Sequence, residues 1–402
     1  MSQAALVFPG QGSQYVGMGK WLLDNYFEAR EIFEEANEIL GMDLRALCLD
    51  GSLSELSRTM HAQPAILTVS TIAHRFYMNE IGIQPRFVAG HSLGEYSALV
   101  AAGSLSFGSA LYIVRQRGLL MEESAKDGIG IMVSVKGVRK EWIEQVCREI
   151  TSDEAPVVVS CYNTSKQYVV SAHRSSAPKL LDILDRNKVG HVPLNVSGPF
   201  HSPLMQQAAD KLSFILDQCT FQNWNVPVIS NLTGRPYISP PDIAHSLLLQ
   251  MTCPVMWEPS ICFMSKQKVN LLIELGPGSV LRNMIKDIPV QIEAFAFDKE
   301  EDITRFKNDY MLLHKNTNFI NRCLALAVST PNQNEAEDEY EAGVVQPIRK
   351  LKQIHAGFEQ DGGVLAEEQK SAACELVRCI LQTKGLSEGD IVGNMNELVL
   401  SL

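Results

Sequence analysis

The chain lacks a basic surplus, paired cysteines, long apolar runs and internal repeats, and each absence removes a class of function. Lys and Arg number 35 against 46 Asp and Glu, a formal net charge of −11. A chain with that balance does not offer the cationic surface that nucleic acids require. An acidic carrier partner would need a local basic patch, which net charge does not reveal. The nine cysteines (Cys48, Cys147, Cys161, Cys219, Cys253, Cys262, Cys323, Cys374 and Cys379) are odd in number and scattered, with no Cys-x-x-Cys pair. Neither a zinc site nor a disulfide framework is indicated, and reduced thiols packed as small hydrophobes are expected. The opening "MSQAALVFPGQGSQ" has no basic n-region, and its apolar run is too short for a signal peptide. No stretch is long enough to span a bilayer. A cytoplasmic protein without a metal centre is expected.

What is present is a core-forming composition. Apolar residues make up 46% of 402 and charged residues 20%, ordinary for a globular chain of this length. "AALVFPG" and "PRFVAG" read as short buried strands. "YFEAREIFEEANEILG", "QPAILTVSTIAHRFYM" and "SALYIVRQRGLLMEESA" carry helical spacing. Alternating strands and helices predict a parallel α/β sheet. Near Gly128 the order changes to strand, helix, two strands, helix, strand, the split pattern of a ferredoxin-like unit. The predicted organisation is therefore a core over 1–127 and 198–300, an insert over 128–197 and an extension over 301–402. Within the extension, "NQNEAEDEYEAG" reads as an acidic linker near 332–343, followed by an amphipathic helix in "LAEEQKSAACELVRCILQTKG".

The chemistry-bearing stretch is "VAGHSLGEYSALVAA", Val88 to Ala102. Gly-x-Ser-x-Gly between a strand and a helix is the signature of a nucleophile elbow, with Ser92 at its tip. The helix that follows aims its free N–H groups and partial positive charge at a developing oxyanion. A serine hydroxyl needs a base to take its proton. His91 adjoins the serine, but a neighbour on the elbow points elsewhere. His201 lies in the loop "VSGPFHSPLM" just past the insert, which suits a base. Composition alone leaves His61 and His173 open as well.

Seven motifs in order, "FPGQGSQ", "GHSLGE", "RQRG", "PFHSPLM", "SNLTG", "QMTCPVMW" and "ELGPGSVL", resemble the malonyl-CoA:acyl carrier protein transacylases. That family includes free-standing acyltransferases serving polyketide and lipopeptide synthases. The resemblance covers about Ala4 to Asp298. It implies an α/β-hydrolase-like core with an inserted ferredoxin-like subdomain, here followed by a helical extension. It also implies Ser92 as nucleophile, His201 as base and Gln250 as the residue whose backbone carbonyl orients the histidine. The backbone N–H groups of Gln11 and Leu93 would form the oxyanion hole. Arg117 would bind the malonyl carboxylate, for which an always-charged guanidinium fork is suited. Phe200 would crowd out an α-methyl branch, and Asn163 would face the site from the insert. Cys161 and Glu122 depart from the asparagine and glutamine common at those positions.

The implied activity is malonyl transfer from malonyl-CoA, as substrate rather than cofactor, to the phosphopantetheine thiol of an acyl carrier protein or carrier domain. A polyketide or lipopeptide pathway, a monomer and no nucleic acid or membrane partner go with it. A proofreading acyl hydrolase is the alternative, although such proteins typically lack the arginine. A docking role for the extension is a second rival, to be tested by truncation after Ser329. A general lipase or esterase is disfavoured, because Arg117 in a lipid-facing pocket would need an anion beside it.

Overall fold

A computed structural model describes residues 3–334, 337–360 and 365–399. Its described strands are β1 (Ala4–Phe8), β2 (Phe87–Gly90), β3 (Gly130–Lys136), β4 (Val157–Thr164), β5 (Gln167–His173), β6 (Gly190–Pro193), β7 (Val228–Ile229), β8 (Leu271–Glu274) and β9 (Glu293–Ala296). β1, β2, β7, β8 and β9 form a parallel sheet in the order β7-β2-β1-β8-β9. Near-continuous apolar runs suit strands covered on both faces, and every residue of β1, β2 and β8 is buried. β3 to β6 form a separate antiparallel sheet in the order β4-β5-β3-β6. With helices Lys140–Ile150 and Ala177–Arg186 between its strands, it is the ferredoxin-like insert read from the sequence.

The insert is joined to the core at defined points. Val255, just past the Pro240–Gln250 helix, exchanges backbone hydrogen bonds with Ser160 and Tyr162 of β4, at 2.9 Å each. Ser171 of β5 donates its hydroxyl to the Phe200 carbonyl at 2.6 Å.

Two helices of the core meet at backbone contact. The helix Thr59–Glu80 begins four residues before the "QPAILTVS" periodicity and holds Pro64 inside it. Proline removes the amide that would bond the carbonyl four residues back, here Met60. Arg115 Nη1 takes its place on the Met60 carbonyl at 2.7 Å. On the neighbouring helix, Phe107–Ala125, Gly118 is the residue that permits the approach. A Cβ there would lie 2.7 Å from Met60 Cα and from the Thr59 carbonyl oxygen.

The chain divides after Ile303, and the residues from Thr304 onward form a second compact unit. Its helices include Leu312–Ser329, Gln346–Gln360, Glu367–Thr383 and Glu388–Val399. Phe319, Ile320, Cys323, Val344, Leu351, Val377 and Ile380 belong to a hydrophobic core of its own. The expected amphipathic helix is there, closed by Gly385 at φ 82°, but it is one of several. The acidic stretch read as a linker over 332–343 is helical from Glu337 and runs through Val345. The reason is burial and pairing: Val344 enters the core, and Glu341 accepts from Gln346 and Arg349. Buried Lys384 donates to the carbonyls of Ala327 and Thr330, at 2.9 and 2.6 Å. It thereby satisfies groups that a helix C-terminus leaves open.

Candidate active site

The elbow exists because two glycines have no Cβ. A Cβ on Gly90 would fall 1.9 Å from the Gly94 carbonyl, and one on Gly94 would fall 2.0 Å from the Phe8 carbonyl. The turn between β2 and the helix Gly94–Ala101 therefore closes only with glycine at both positions. Ser92 at its tip has φ 51°, a left-handed conformation that costs a non-glycine residue about 1–2 kcal/mol. Asn231 holds it there. Its Oδ1 accepts from the Ser92 N–H and its Nδ2 donates to the Gly90 carbonyl, both at 2.6 Å.

Ser92 Oγ lies 2.7 Å from His201 Nε2, and His201 Nδ1 lies 2.7 Å from the backbone carbonyl of Gln250. A carbonyl only accepts, so Nδ1 carries the proton and Nε2 is the free base. His201 is 4% exposed and also left-handed, at φ 54°. Burial, reinforced by the Arg117 charge, lowers its pKa to about 3. The imidazole is thus neutral at neutral pH.

Arg117 projects from the Phe107–Ala125 helix and is 1% exposed. Nη1 donates to Gln63 Oε1 at 2.8 Å; Nη2 donates to Gln250 Oε1 at 3.0 Å and to Ser92 Oγ at 3.3 Å. Its Nε is buried without an acceptor, and the guanidinium stands 5.7 Å from the centre of the Tyr96 ring. Burial lowers its pKa, with Tyr96 and Glu95 acting against that shift, but a guanidinium stays charged in proteins. No carboxylate touches it among the described residues. Arg115, two residues earlier, is engaged with the Met60 carbonyl. Glu122 accepts from the Met60 N–H and pairs with Arg58 at 3.3 Å, so this departure does not bring a charge onto Arg117.

The other expected site residues fall as follows. Leu93 is fully buried, and Gln11 is half-buried with its side-chain amide on Thr59 Oγ1 at 3.0 Å. Neither backbone N–H donates to an acceptor among the described residues. Asn163 is buried, with its Oδ1 2.8 Å from His91 Nε2. Cys161 is buried in β4, and burial pushes its thiol up to about 12. Phe200 is buried beside His201. His61 pairs with Glu55 and His173 with Ser175, which leaves His201 as the histidine on Ser92. Among the described residues no group of three or more His, Cys, Asp or Glu is placed to hold a metal ion. No helix among them is long and apolar enough to cross a membrane.

Four polar residues of the site escape a sequence reading. Gln63 lies in an apolar helix. Glu95, Asn231 and Tyr237 sit beneath the elbow. Glu95 accepts from the Gln250 side-chain amide and the Tyr237 hydroxyl, both at 2.5 Å, and from the Asn231 N–H at 3.1 Å. Burial raises its carboxyl to about 7, against these lowering hydrogen bonds. The only signal for Glu95 and Asn231 was membership of "GHSLGE" and "SNLTG".

A family model described as an acyl transferase domain matches residues 5–296. The malonyl CoA-acyl carrier protein transacylase of Bacillus subtilis is 36% identical over 393 residues, 96% of this chain and 98% of that protein. The protein of the same name from Escherichia coli strain K12 is 37% identical over 300 residues, 74% of this chain and 97% of its own. Among solved structures, the malonyl-CoA:acyl carrier protein transacylase of Xanthomonas oryzae pv. oryzae matches with a TM-score of 0.73 at 35% identity. It covers 76% of this chain and 97% of that one. A type II PKS acyl-carrier protein in complex with its malonyl-transacylase matches with a TM-score of 0.73 at 36% identity, over 76% and 100%. With an acyl transferase model over most of its length, one such relative along 96% of it and others along about three quarters, the chain belongs to the malonyl-CoA:acyl carrier protein transacylase family of acyltransferases.

Proposed function

We propose that this chain moves a malonyl group from malonyl-CoA, through an ester on Ser92, to the phosphopantetheine thiol of an acyl carrier protein in polyketide or lipopeptide synthesis. The observation that carries the acyl selectivity is Arg117. A buried cation without a carboxylate beside it is costly, and a substrate that brings its own carboxylate relieves that cost. The guanidinium stands at the nucleophile itself, 3.3 Å from Ser92 Oγ. That spacing suits an acyl group whose carboxylate is one methylene from the reacting carbonyl.

The geometry supports the following steps. His201 Nε2 takes the Ser92 proton as Oγ attacks the thioester carbonyl. The N–H groups of Gln11 and Leu93 receive the oxyanion, a task worth about 3–4 kcal/mol per donor in comparable sites. The carbon–sulfur bond breaks, the proton passes from Nε2 to the departing coenzyme A sulfur, and malonyl remains on Oγ. The carrier thiol then gives its proton to Nε2 and attacks the ester. Collapse returns that proton to Oγ. One thioester is exchanged for another, so the reaction runs in either direction. A proofreading hydrolase, the other reading, has no use for a cation reserved for the acyl group's far end.

The pathway assignment draws on the second unit. The Bacillus subtilis relative extends over 96% of this chain, whereas the Escherichia coli relative covers 74%. A chain carrying an added helical unit is suited to a dedicated synthase. The test is transfer by the full chain to carriers from fatty acid, polyketide and lipopeptide systems, with the products weighed intact. A malonyl adduct on wild type and none on Ser92→Ala is expected. Free acid released from an acetyl-carrier in preference to transfer would establish the hydrolase instead. Equal rates on all carriers would remove the pathway assignment while leaving the transferase.

A further inference from the structure

Glu95 occupies a position that the transfer chemistry leaves unused. It is 1% exposed, and its hydrogen-bond donors are neutral: the Gln250 amide, the Tyr237 hydroxyl, the Asn231 N–H and the Ser230 hydroxyl. The Gln250 side chain therefore bridges the guanidinium and the Glu95 carboxyl group. Its Oε1 accepts from Arg117 at 3.0 Å, while its Nε2 donates to Glu95 at 2.5 Å and to the Ser92 carbonyl at 3.1 Å.

The two ends of an amide are nearly the same size, so the partners decide which end faces which way. Turned over, the Gln250 NH₂ would face the guanidinium, donor against donor. Its oxygen would face the Glu95 carboxylate and the Ser92 carbonyl, acceptor against acceptors. Glu95 joins the guanidinium and the Ser92 carbonyl in excluding that arrangement. A carboxylate in direct contact with Arg117 would instead form an ion pair and compete with an incoming anion. With no carboxylate nearby, the guanidinium would be left buried without electrostatic support. One intervening amide avoids both outcomes.

We propose that Glu95 is a positioning residue for acyl selectivity: through the Gln250 amide it fixes the Arg117 guanidinium at Ser92, yet stays too far away to neutralise it. This rests on the reading of Arg117 as the carboxylate clamp. Asn231 keeps its own bond to the Gly90 carbonyl at 2.6 Å, so loss of the Glu95 carboxylate leaves the elbow held.

The test uses the full chain as wild type, Glu95→Gln, Glu95→Asp, Arg117→Ala and the Glu95→Gln/Arg117→Ala double variant. Ser92 acylation by malonyl-CoA and by acetyl-CoA is timed by intact mass, with thermal melting alongside. Glu95→Gln is expected to lower the malonyl-to-acetyl rate ratio about tenfold, mainly by raising KM for malonyl-CoA, with the acetyl rate changed less than about threefold. Glu95→Asp keeps the carboxyl group but shortens the reach, and the ratio is expected to fall likewise; either variant suffices if the other does not fold. In the Arg117→Ala background, Glu95→Gln is expected to move the ratio no further, because the two residues act as one unit. Equal losses on both acyl groups, or the same fall in ratio in both backgrounds, would overturn the proposal. Failure of the wild type to take malonyl at all would instead overturn the proposed function.

Discussion

Ser92 and His201 share a backbone conformation that neither side chain favours, at φ 51° and 54°. The strain is held by Asn231 on one residue and the Gln250 carbonyl on the other, the pattern of a site that trades stability for geometry. Replacing Ser92 separates the two. Ser92→Ala and Ser92→Gly both remove the hydroxyl, but only glycine is at ease with positive φ. Urea unfolding is expected to find the glycine variant more stable than the alanine variant by about 1 kcal/mol, with no malonyl adduct on either. His201 yields a second prediction. Its native pKa, about 3, lies below the ordinary 6.5, so between those values the unfolded chain binds the proton and the native one does not. Stability from this group is complete above pH 6.5 and is lost as pH falls towards 3. From pH 7.5 to 5, wild type is expected to lose about 2 kcal/mol relative to His201→Asn. A difference independent of pH would mean that His201 titrates normally.

At the scale of elements, the two helices that place Arg117 depend on a glycine. Gly118→Ala would set a methyl group against Met60 Cα and the Thr59 carbonyl, and backbone does not yield as a side chain does. The helices would part, and Gln63, which holds Arg117 Nη1, would part with them. An expected cost of about 1–3 kcal/mol in chemical denaturation should come with a several-fold higher KM for malonyl-CoA. A variant with wild-type KM would show that Gln63 does not set the arginine. The elements legible in the sequence were those with a local signal: apolar strands, the elbow, and the strand–helix alternation of the insert. The apolar periodicity that marks the Thr59–Glu80 helix begins only at Gln63, four residues inside it. Arg115 on the freed Met60 carbonyl is what lets the helix continue. The helical stretch Glu337–Val345 looked like a linker because its acidic residues hide one buried valine. Ser92, His201 and Arg117 were legible through ordered motifs; Glu95 and Asn231 lie in such motifs but with no sign of their roles, and Gln63 and Tyr237 lie outside them, because burial and hydrogen bonding leave no mark in spacing.

At the scale of the whole molecule, each compact unit has its own means of closure. The unit beginning at Thr304 relies on Lys384, whose ammonium caps Ala327 and Thr330. Lys384→Met would leave those carbonyls unsatisfied, at about 1–3 kcal/mol. Urea unfolding is expected to report that loss while ester formation on Ser92 proceeds at the wild-type rate. A slowed ester step would instead tie this unit to the chemistry. A truncation after Ser329 would cut this unit rather than remove it, stranding the core residues Phe319, Ile320 and Cys323; the boundary lies at Ile303. The ferredoxin-like insert raises a different issue. Its bonds to Val255 and Phe200, with Asn163 on His91, stitch it to the loops that hold His201 and Ser92 and to the segment following Gln250. Anyone building chimeras from related enzymes should therefore find that the insert does not travel alone. A graft that leaves its matching loops behind would arrive with the seams undone, and the donor's substrate preference would not come with it.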